Sequence, residues 1–321
     1  MLWTITFLLT GFIILIKGAD FLVSGASSMA KKLGISTIAI GLTVVSFGTS
    51  APEMIVSILS AIDGKADASF GNVIGSNNFN LYFILGVSGL IYPLVVQRST
   101  VRFEVPISIL AIGILYLLTN DTWLKGQENI LSRTDALILL AFFALFMLYI
   151  YKTMNNASDY EEAPIRLYST AVSLVLVFGG LIMLVGGGKL VVDNAIALAN
   201  HFGLSQKIIG LTILAVGTSL PELATSAVAA YKKNTDIAIG NVVGSNIMNI
   251  FFILGVTGLI HPMNYNPALN FDLKVLFVGS LTLMIFMFTL NTRKLDRWEA
   301  FLLLAGYIVY TIFLIGMEEA L

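Results

Sequence analysis

The chain has 321 residues, 57% of them hydrophobic and only 12% charged, with a mean hydropathy of +0.89. Soluble domains run nearer 25% charged, so a water-soluble globule is excluded. The 18 basic and 19 acidic residues nearly cancel, so no nucleic-acid partner is implied, and no sequence feature calls for a protein partner. There is no cysteine, which rules out disulfides, thiolate ligands and cysteine nucleophiles. The two histidines, His201 and His261, stand near segment ends and cannot form an H-E-x-x-H zinc site.

A membrane-spanning helix needs about 20 mostly apolar residues. In chain order the expected spans are Leu2–Gly18, Ile35–Ile62, Ala68–Tyr92, Phe103–Leu118, Asp135–Tyr151, Ser169–Gly187, Leu204–Tyr231, Ile237–Ile260, Leu273–Leu290 and Trp298–Ile315. The fold class is therefore an all-α polytopic membrane protein with about ten transmembrane helices and the lipid bilayer as its surroundings. Continuous apolar runs such as Ile138–Ile150 lack the alternation of a membrane β-barrel. The first span lacks a basic leader, because the first cation is Lys17, and reads as a retained helix rather than a signal peptide. Loops opposite the N-terminus carry eleven Lys or Arg against six on its own side, which places both termini outside the cytoplasm of a multi-pass protein in the plasma (inner) membrane.

The chain is written twice. Gly41–Leu94 aligns with Gly210–Met263 without a gap, at a constant offset of 169. GLTVVSFGTSAPEMIVS answers GLTILAVGTSLPELATS, GNVIGSNNFN answers GNVVGSNIMN, and FILGVSGLIYP answers FILGVTGLIHP. About five spans separate equivalent positions, and an odd number brings the second copy in from the opposite face. The spans thus form two inverted five-helix repeats, 1–152 and 167–321, joined by a short polar cytoplasmic linker at 153–166. Inverted repeats build many secondary transporters, whose sites lie near the midplane where discontinuous helices meet.

Ser46, Thr49, Ser50 and Glu53 recur at i, i+3, i+4 and i+7, one helix face. Pro52 withholds an N–H from the Gly48 carbonyl and breaks that helix, which frees backbone carbonyls as ligands. The second copy repeats the device with Ala215, Gly217, Thr218, Ser219, Pro221 and Glu222. Where Ser46 becomes Ala215, only a carbonyl is common to both. The next span offers Asn72, Ser76 and Asn80, matched by Asn241, Ser245 and Asn249. Beside that stripe run Gly71 and Gly75, with Gly240 and Gly244, small pairs that let helices approach closely. Asp67 and Asp236 each precede a span and read as helix N-caps.

Glu53 and Glu222 are the only carboxylates deep inside expected spans, where each charge costs roughly 2.5–3.5 kcal/mol on insertion scales. No Lys or Arg lies at comparable depth, so the counter-charge is expected to be a mobile cation. All-oxygen donor sets suit Ca²⁺, and Na⁺, of nearly the same size, also prefers oxygen.

The duplicated G-T-S-x-P-E and G-N-x-x-G-S-N blocks resemble the repeats of the sodium/calcium exchanger family, in the cation/calcium antiporter superfamily, and most resemble its compact prokaryotic members. The resemblance spans nearly the whole chain. It implies a secondary active antiporter, not an enzyme, exchanging about three Na⁺ for one Ca²⁺ by alternating access, with no cofactor beyond the transported ions. The alternative is an H⁺/Ca²⁺ antiporter, because a buried glutamate can carry a proton. Carried over, Glu53 and Glu222 bridge the central Ca²⁺. Thr49, Ser50, Thr218 and Ser219 ligate through hydroxyls or carbonyls, and Ser76 and Ser245 complete Na⁺ sites with the carbonyls of Ser46 and Ala215. Asn80 and Asn249 sit between the halves. The K⁺-dependent branch carries Asp where this chain has Asn249, so the resemblance implies a K⁺-independent exchanger.

Overall fold

The computed structural model describes residues 1–120, 128–154, 165–202, 215–289 and 293–319. Within them the chain is helical apart from two two-stranded ribbons. Helix α1 spans Leu2–Leu33, α2 Thr37–Thr49, α3 Ala51–Ile62, α4 66–91, α5 Thr100–Thr119, α6 Arg133–Thr153 and α7 Thr170–His201. After a short turn at Ala215–Gly217 come α8 (Leu220–Tyr231), α9 (Thr235–Ile260), α10 (Asn270–Phe286) and α11 (Arg297–Glu319). Seven helices among the described residues are long and apolar enough to cross a membrane, and the bent pair α2–α3 adds an eighth. The first part of the expected span Leu204–Tyr231 and most of the expected linker lie outside the described residues.

Two helices outrun their expected ends. Helix α1 continues from Gly18 to Leu33, and α7 from Gly187 to His201. The polar residues beyond Gly18 end the hydropathy signal but not the helix, because they have partners. Ser28 bonds to Ser173 across the helix pair, and Lys232 forms an ion pair with Asp20. Gly34 then stops α1 in the left-handed region at φ 66°, its N–H returning to the Ala30 carbonyl. At 32 residues each, these helices are about 48 Å long, well beyond the roughly 30 Å hydrocarbon core.

Helices α1 and α7 pack antiparallel, Gly11 against Gly187 and Gly18 against Gly180. The offset of 169 takes Gly11 to Gly180 and Gly18 to Gly187, so each contact is the image of the other. A Cβ at Gly180 would stand 2.7 Å from the Gly18 oxygen and the Leu22 nitrogen, so backbones meet here without side chains between them. The ribbons repeat the pattern. Strand β1 (Leu94–Val95) pairs with β4 (Lys294–Leu295), and β2 (Ile130–Leu131) with β3 (Met263–Asn264), each joining the end of a repeated block to the residues before a neighbouring helix.

The core gathers around α9. Its most apolar window is 94% buried, against 17% for that of α11. Phe70, Phe79, Phe251, Val242 and Ile247 fill this centre. The outer helices turn Ile13, Val175, Ile182, Val309 and Ile312 outward, an apolar periphery suited to lipid.

Candidate functional site: a buried oxygen cage

The bend that the sequence places at Pro52 is present. Helices α2 and α3 meet at 48°, bridged by the Ser50 N–H to the Ser46 carbonyl at 2.9 Å and the Met54 N–H to the Ser50 carbonyl at 3.1 Å. Pro52 has no N–H for the Gly48 carbonyl. A tighter version recurs at Ser219, whose N–H reaches the Val216 carbonyl, three residues back rather than four, and whose own carbonyl takes the Leu223 N–H, both at 3.1 Å. These breaks bring Glu53 and Glu222 into the protein interior, 1% and 0% exposed.

Each carboxylate is met by the other copy. Ser50 donates to Glu222 Oε1 and Ser219 to Glu53 Oε1, both at 2.8 Å. Ser50 Oγ lies 3.0 Å from Ser245 Oγ, and Ser219 Oγ lies 3.0 Å from Ser76 Oγ. Thr49 donates to Asn241 Oδ1 at 3.0 Å, Thr218 to Asn72 Oδ1 at 3.3 Å. Asn72 steadies its own copy through Ser57 Oγ and the Glu53 carbonyl, as Asn241 does through Ser226 Oγ and the Glu222 carbonyl. Every bond maps onto its partner when the copies are exchanged, the signature of a local two-fold.

The midline is closed by amides. Asn77 and Asn246 each donate to the other's carbonyl, at 3.2 and 3.3 Å. Asn80 donates to Asn246 Oδ1 and Asn249 to Asn77 Oδ1, at 3.1 and 2.9 Å. Asn80 and Asn249 therefore do sit between the copies. Asn77 and Asn246 were assigned no role from sequence, although both stand in the repeated G-N-x-x-G-S-N block. Wider π-helical turns begin here, at Phe79–Ile84 and Asn249–Ile253, a helix irregularity that often marks functional sites.

Four buried acceptor oxygens in this cage have no hydrogen-bond partner: Glu53 Oε2, Glu222 Oε2, Asn80 Oδ1 and Asn249 Oδ1. They too form symmetric pairs. Leaving a buried acceptor unmet costs roughly 1–3 kcal/mol, and carboxylate and amide oxygens are the donor chemistry a hard cation requires.

Ser46 breaks the symmetry. Its hydroxyl donates to the Gly41 carbonyl at 2.7 Å and lies 3.0 Å from the Asn241 carbonyl and 3.2 Å from that of Gly240, so it ties α2 to α9. Its own carbonyl already takes the Ser50 N–H and, at 3.3 Å, the Thr49 hydroxyl. The Ala215 side chain lies outside the described residues. Ser46→Ala should therefore lower thermal stability in detergent by about 1 kcal/mol.

Two sequence expectations change. The glycine pair Gly240 and Gly244 does press helices together, but across copies, against Gly41, Leu42 and Ser46. Asp67 and Asp236 are not N-caps: Lys65 and Asn234 hold those positions. Asp236 instead accepts from Thr37 at 2.8 Å and from Gln97, and Asp67 from Asn266 at 3.2 Å. Outside the cage, Glu104 at the head of α5 and Glu299 in α11 are also buried, 2% and 1% exposed. Glu104 stands at an end of the expected span Phe103–Leu118.

Among the described residues, equivalent positions of the two copies differ in exposure. Asn72, Gly71, Gly75 and Thr218 are partly exposed, and Asp67 and Ala68 are exposed. Their equivalents Asn241, Gly240, Gly244, Thr49, Asp236 and Ile237 are all buried.

The family model described as "Sodium/calcium exchanger protein" matches residues 3–152 and 172–316. The putative antiporter CaxA of Alkalimonas amylolytica is 37% identical, over 97% of this chain and 98% of its own. The inner membrane protein YrbG of Escherichia coli is 34% identical, over 100% and 99%. A solved structure of the sodium-calcium exchanger NCX_Mj, soaked with Na⁺ and Ca²⁺, superposes with a TM-score of 0.81 at 33% identity, covering 96% of this chain and 97% of that one. With a family match over most of its length and full-length relatives above 30% identity, this chain is a multi-pass membrane protein of the sodium/calcium exchanger family.

Proposed function

We propose that the protein exchanges about three Na⁺ for one Ca²⁺ across the membrane, independently of K⁺, through ten helices arranged as two inverted five-helix repeats. Glu53 and Glu222 hold Ca²⁺ between them. The hydroxyls and carbonyls of Thr49, Ser50, Thr218 and Ser219 complete its shell, and Ser76, Ser245 and the Ser46 and Ala215 carbonyls serve Na⁺. The observation that carries this reading is the set of symmetric, unpartnered carboxylate and amide oxygens at the interface of the copies. The one-sided exposure of equivalent residues supports alternating access, with the N-terminal face, outside the cytoplasm, being the open one.

Charge arithmetic supplies the test. One Ca²⁺ neutralises two glutamates, whereas three Na⁺ leave one net positive charge, so each cycle moves charge. That corresponds to about 2.3 kcal/mol per 100 mV, or roughly fifty-fold in the limiting Ca²⁺ gradient. In proteoliposomes, Na⁺-driven ⁴⁵Ca²⁺ uptake should respond to an imposed potential by that factor and be indifferent to K⁺. Uptake insensitive to voltage would refute the three-for-one ratio, and uptake driven by a pH gradient without Na⁺ would establish proton exchange instead.

A further inference from the structure

On the face opposite the N-terminus, α1 is tied to the end of α8 by charge. Lys232 caps α8 and pairs with Asp20 of α1. Its ammonium also donates to the Asp20 carbonyl at 3.2 Å and to Ser24 Oγ at 2.8 Å. Two residues on, Asn234 donates to Ser27 Oγ at 2.8 Å. The two charged side chains are only partly exposed, 31% for Lys232 and 40% for Asp20.

The offset of 169 takes Asp20 to Lys189 and Lys232 to Asp63, so both charges reverse and their attraction is kept. The positions match in structure as well. Asp63 caps α3 as Lys232 caps α8. In the turn after α3 the N–H groups of Asp63, Gly64 and Lys65 reach the Leu59, Ala61 and Ser60 carbonyls. After α8 those of Lys232, Lys233 and Asn234 reach the equivalent Val228, Ala230 and Ala229 carbonyls. Gly64 and Lys233 even share a positive φ, 73° and 61°. On the helix pair, Lys189 lies two residues past Gly187 as Asp20 lies two past Gly18, and those glycines make equivalent contacts.

Only one of the two pairs is formed. Lys189 is exposed and, among the described residues, has neither ion pair nor hydrogen bond. Asp63 is exposed too, and its carboxylate meets only Lys65, at 3.7 Å. The helices differ in the same sense: α1 packs along α8, whereas α7 makes little contact with α3. Were α7 to take up the packing of α1, Asp63 would meet Lys189. Lys65, at the position of Asn234, and Asp193, at that of Ser24, would flank them, two acids and two bases in one neutral group.

We propose that Asp20–Lys232 and Asp63–Lys189 are alternating latches, one closed in each state of the transport cycle. The first holds the state in which the N-terminal face is open, and the second forms in its place when that face closes. These roles presuppose the alternating-access reading of the cage, to which they add the charges that balance its two states. A partly exposed ion pair shifts an equilibrium only about two- to fivefold, as a latch that must open in every cycle requires.

The chain has no native cysteine, so single cysteines in the purified full chain read the balance. Ile237 is 0% exposed, on the face opposite the N-terminus, and I237C reacts with a water-soluble maleimide only when that face opens. Asp20→Asn should speed this labelling about two- to fivefold, and Lys189→Gln should slow it by a similar factor. D63K, which sets like charges together, should slow it too, and the swap D63K/K189D should restore the wild-type rate. If I237C labels in wild type and neither Lys189→Gln nor D63K changes the rate, the latch is overturned and role exchange stands. If I237C never reacts in a protein that transports Ca²⁺, role exchange fails and the latch fails with it. Should I237C not fold, D63C/K189C gives the answer. A short bifunctional methanethiosulfonate should link that pair, more slowly than it links D20C/K232C, and a pair that never links overturns the proposal.

Discussion

Glu53→Gln and Glu222→Gln should each reduce Na⁺-dependent ⁴⁵Ca²⁺ exchange at least a hundred-fold while leaving a folded protein. Each glutamate supplies half of the negative charge in a cage with no Lys or Arg nearby in sequence. Removing one partner of a buried, desolvated charge pair costs about 3–5 kcal/mol, which is two to three orders of magnitude in occupancy. Glutamine makes matters worse by aiming an N–H₂ group into a site of acceptors. The fold should survive, because Ser219 and Ser50 donate to Oε1, and an amide oxygen can still accept that bond, though more weakly than a carboxylate oxygen. Heat unfolding separates the two effects. Wild-type protein should melt at rising temperature as Ca²⁺ is added, since a ligand that binds only the native state stabilises by RT ln(1 + [L]/Kd). Both variants should start near the same melting temperature and show no Ca²⁺-dependent rise. Two-fold symmetry makes the two substitutions equivalent, so wild-type flux in either one refutes the bridging role.

Much of this site was legible in the sequence because duplication leaves two independent spellings of one structure. Spacing put Ser50 and Glu53 on one helix face and Ser76 on the stripe of the next, repetition did the same for Ser219, Glu222 and Ser245, and the family resemblance joined the two sets. Periodicity describes one helix at a time, however, and cannot state which helix a stripe faces. Hence the partner of Thr49 is Asn241 rather than Asn72 of its own copy, and Gly244 packs on Leu42 across the two-fold. Hydropathy likewise found where α1 and α7 are apolar but not where they end, since Asp20, Ser27 and Ser28 are polar residues bonded within the helix bundle. Glu104 was hidden for the same reason. Its burial comes from α6, through Tyr149, a contact between spans with no trace in local spacing.

The equivalent substitutions Gly244→Ala and Gly75→Ala should both slow transport, but by trapping opposite faces. A Cβ at Gly244 would stand 2.8 Å from Leu42 Cα and 2.9 Å from the Leu42 carbonyl oxygen. These are backbone atoms that cannot swing aside, so the clash is relieved only by separating α2 from α9 on the closed side. At Gly75 no described atom lies within 4 Å of the added Cβ, and Gly75 is partly exposed where Gly244 is buried, so the methyl should meet less resistance there. If the copies exchange roles during transport, Gly75 takes the crowded position in the opposite state and the same methyl then clashes. Overpacking of this kind costs about 1–3 kcal/mol, which shifts a two-state equilibrium roughly 5–150-fold. The chain has no native cysteine, so single reporters are clean. Ala68 is exposed on one face, while its equivalent Ile237 is 0% exposed on the other. In wild type, A68C should react quickly with a water-soluble maleimide and I237C slowly. Adding Gly244→Ala should speed labelling of I237C and slow that of A68C, whereas Gly75→Ala should keep A68C reactive and suppress I237C further. If both substitutions moved the two reporters in the same direction, the copies would not be trading places, and the inward and outward states would have to arise from some motion other than an exchange of equivalent roles.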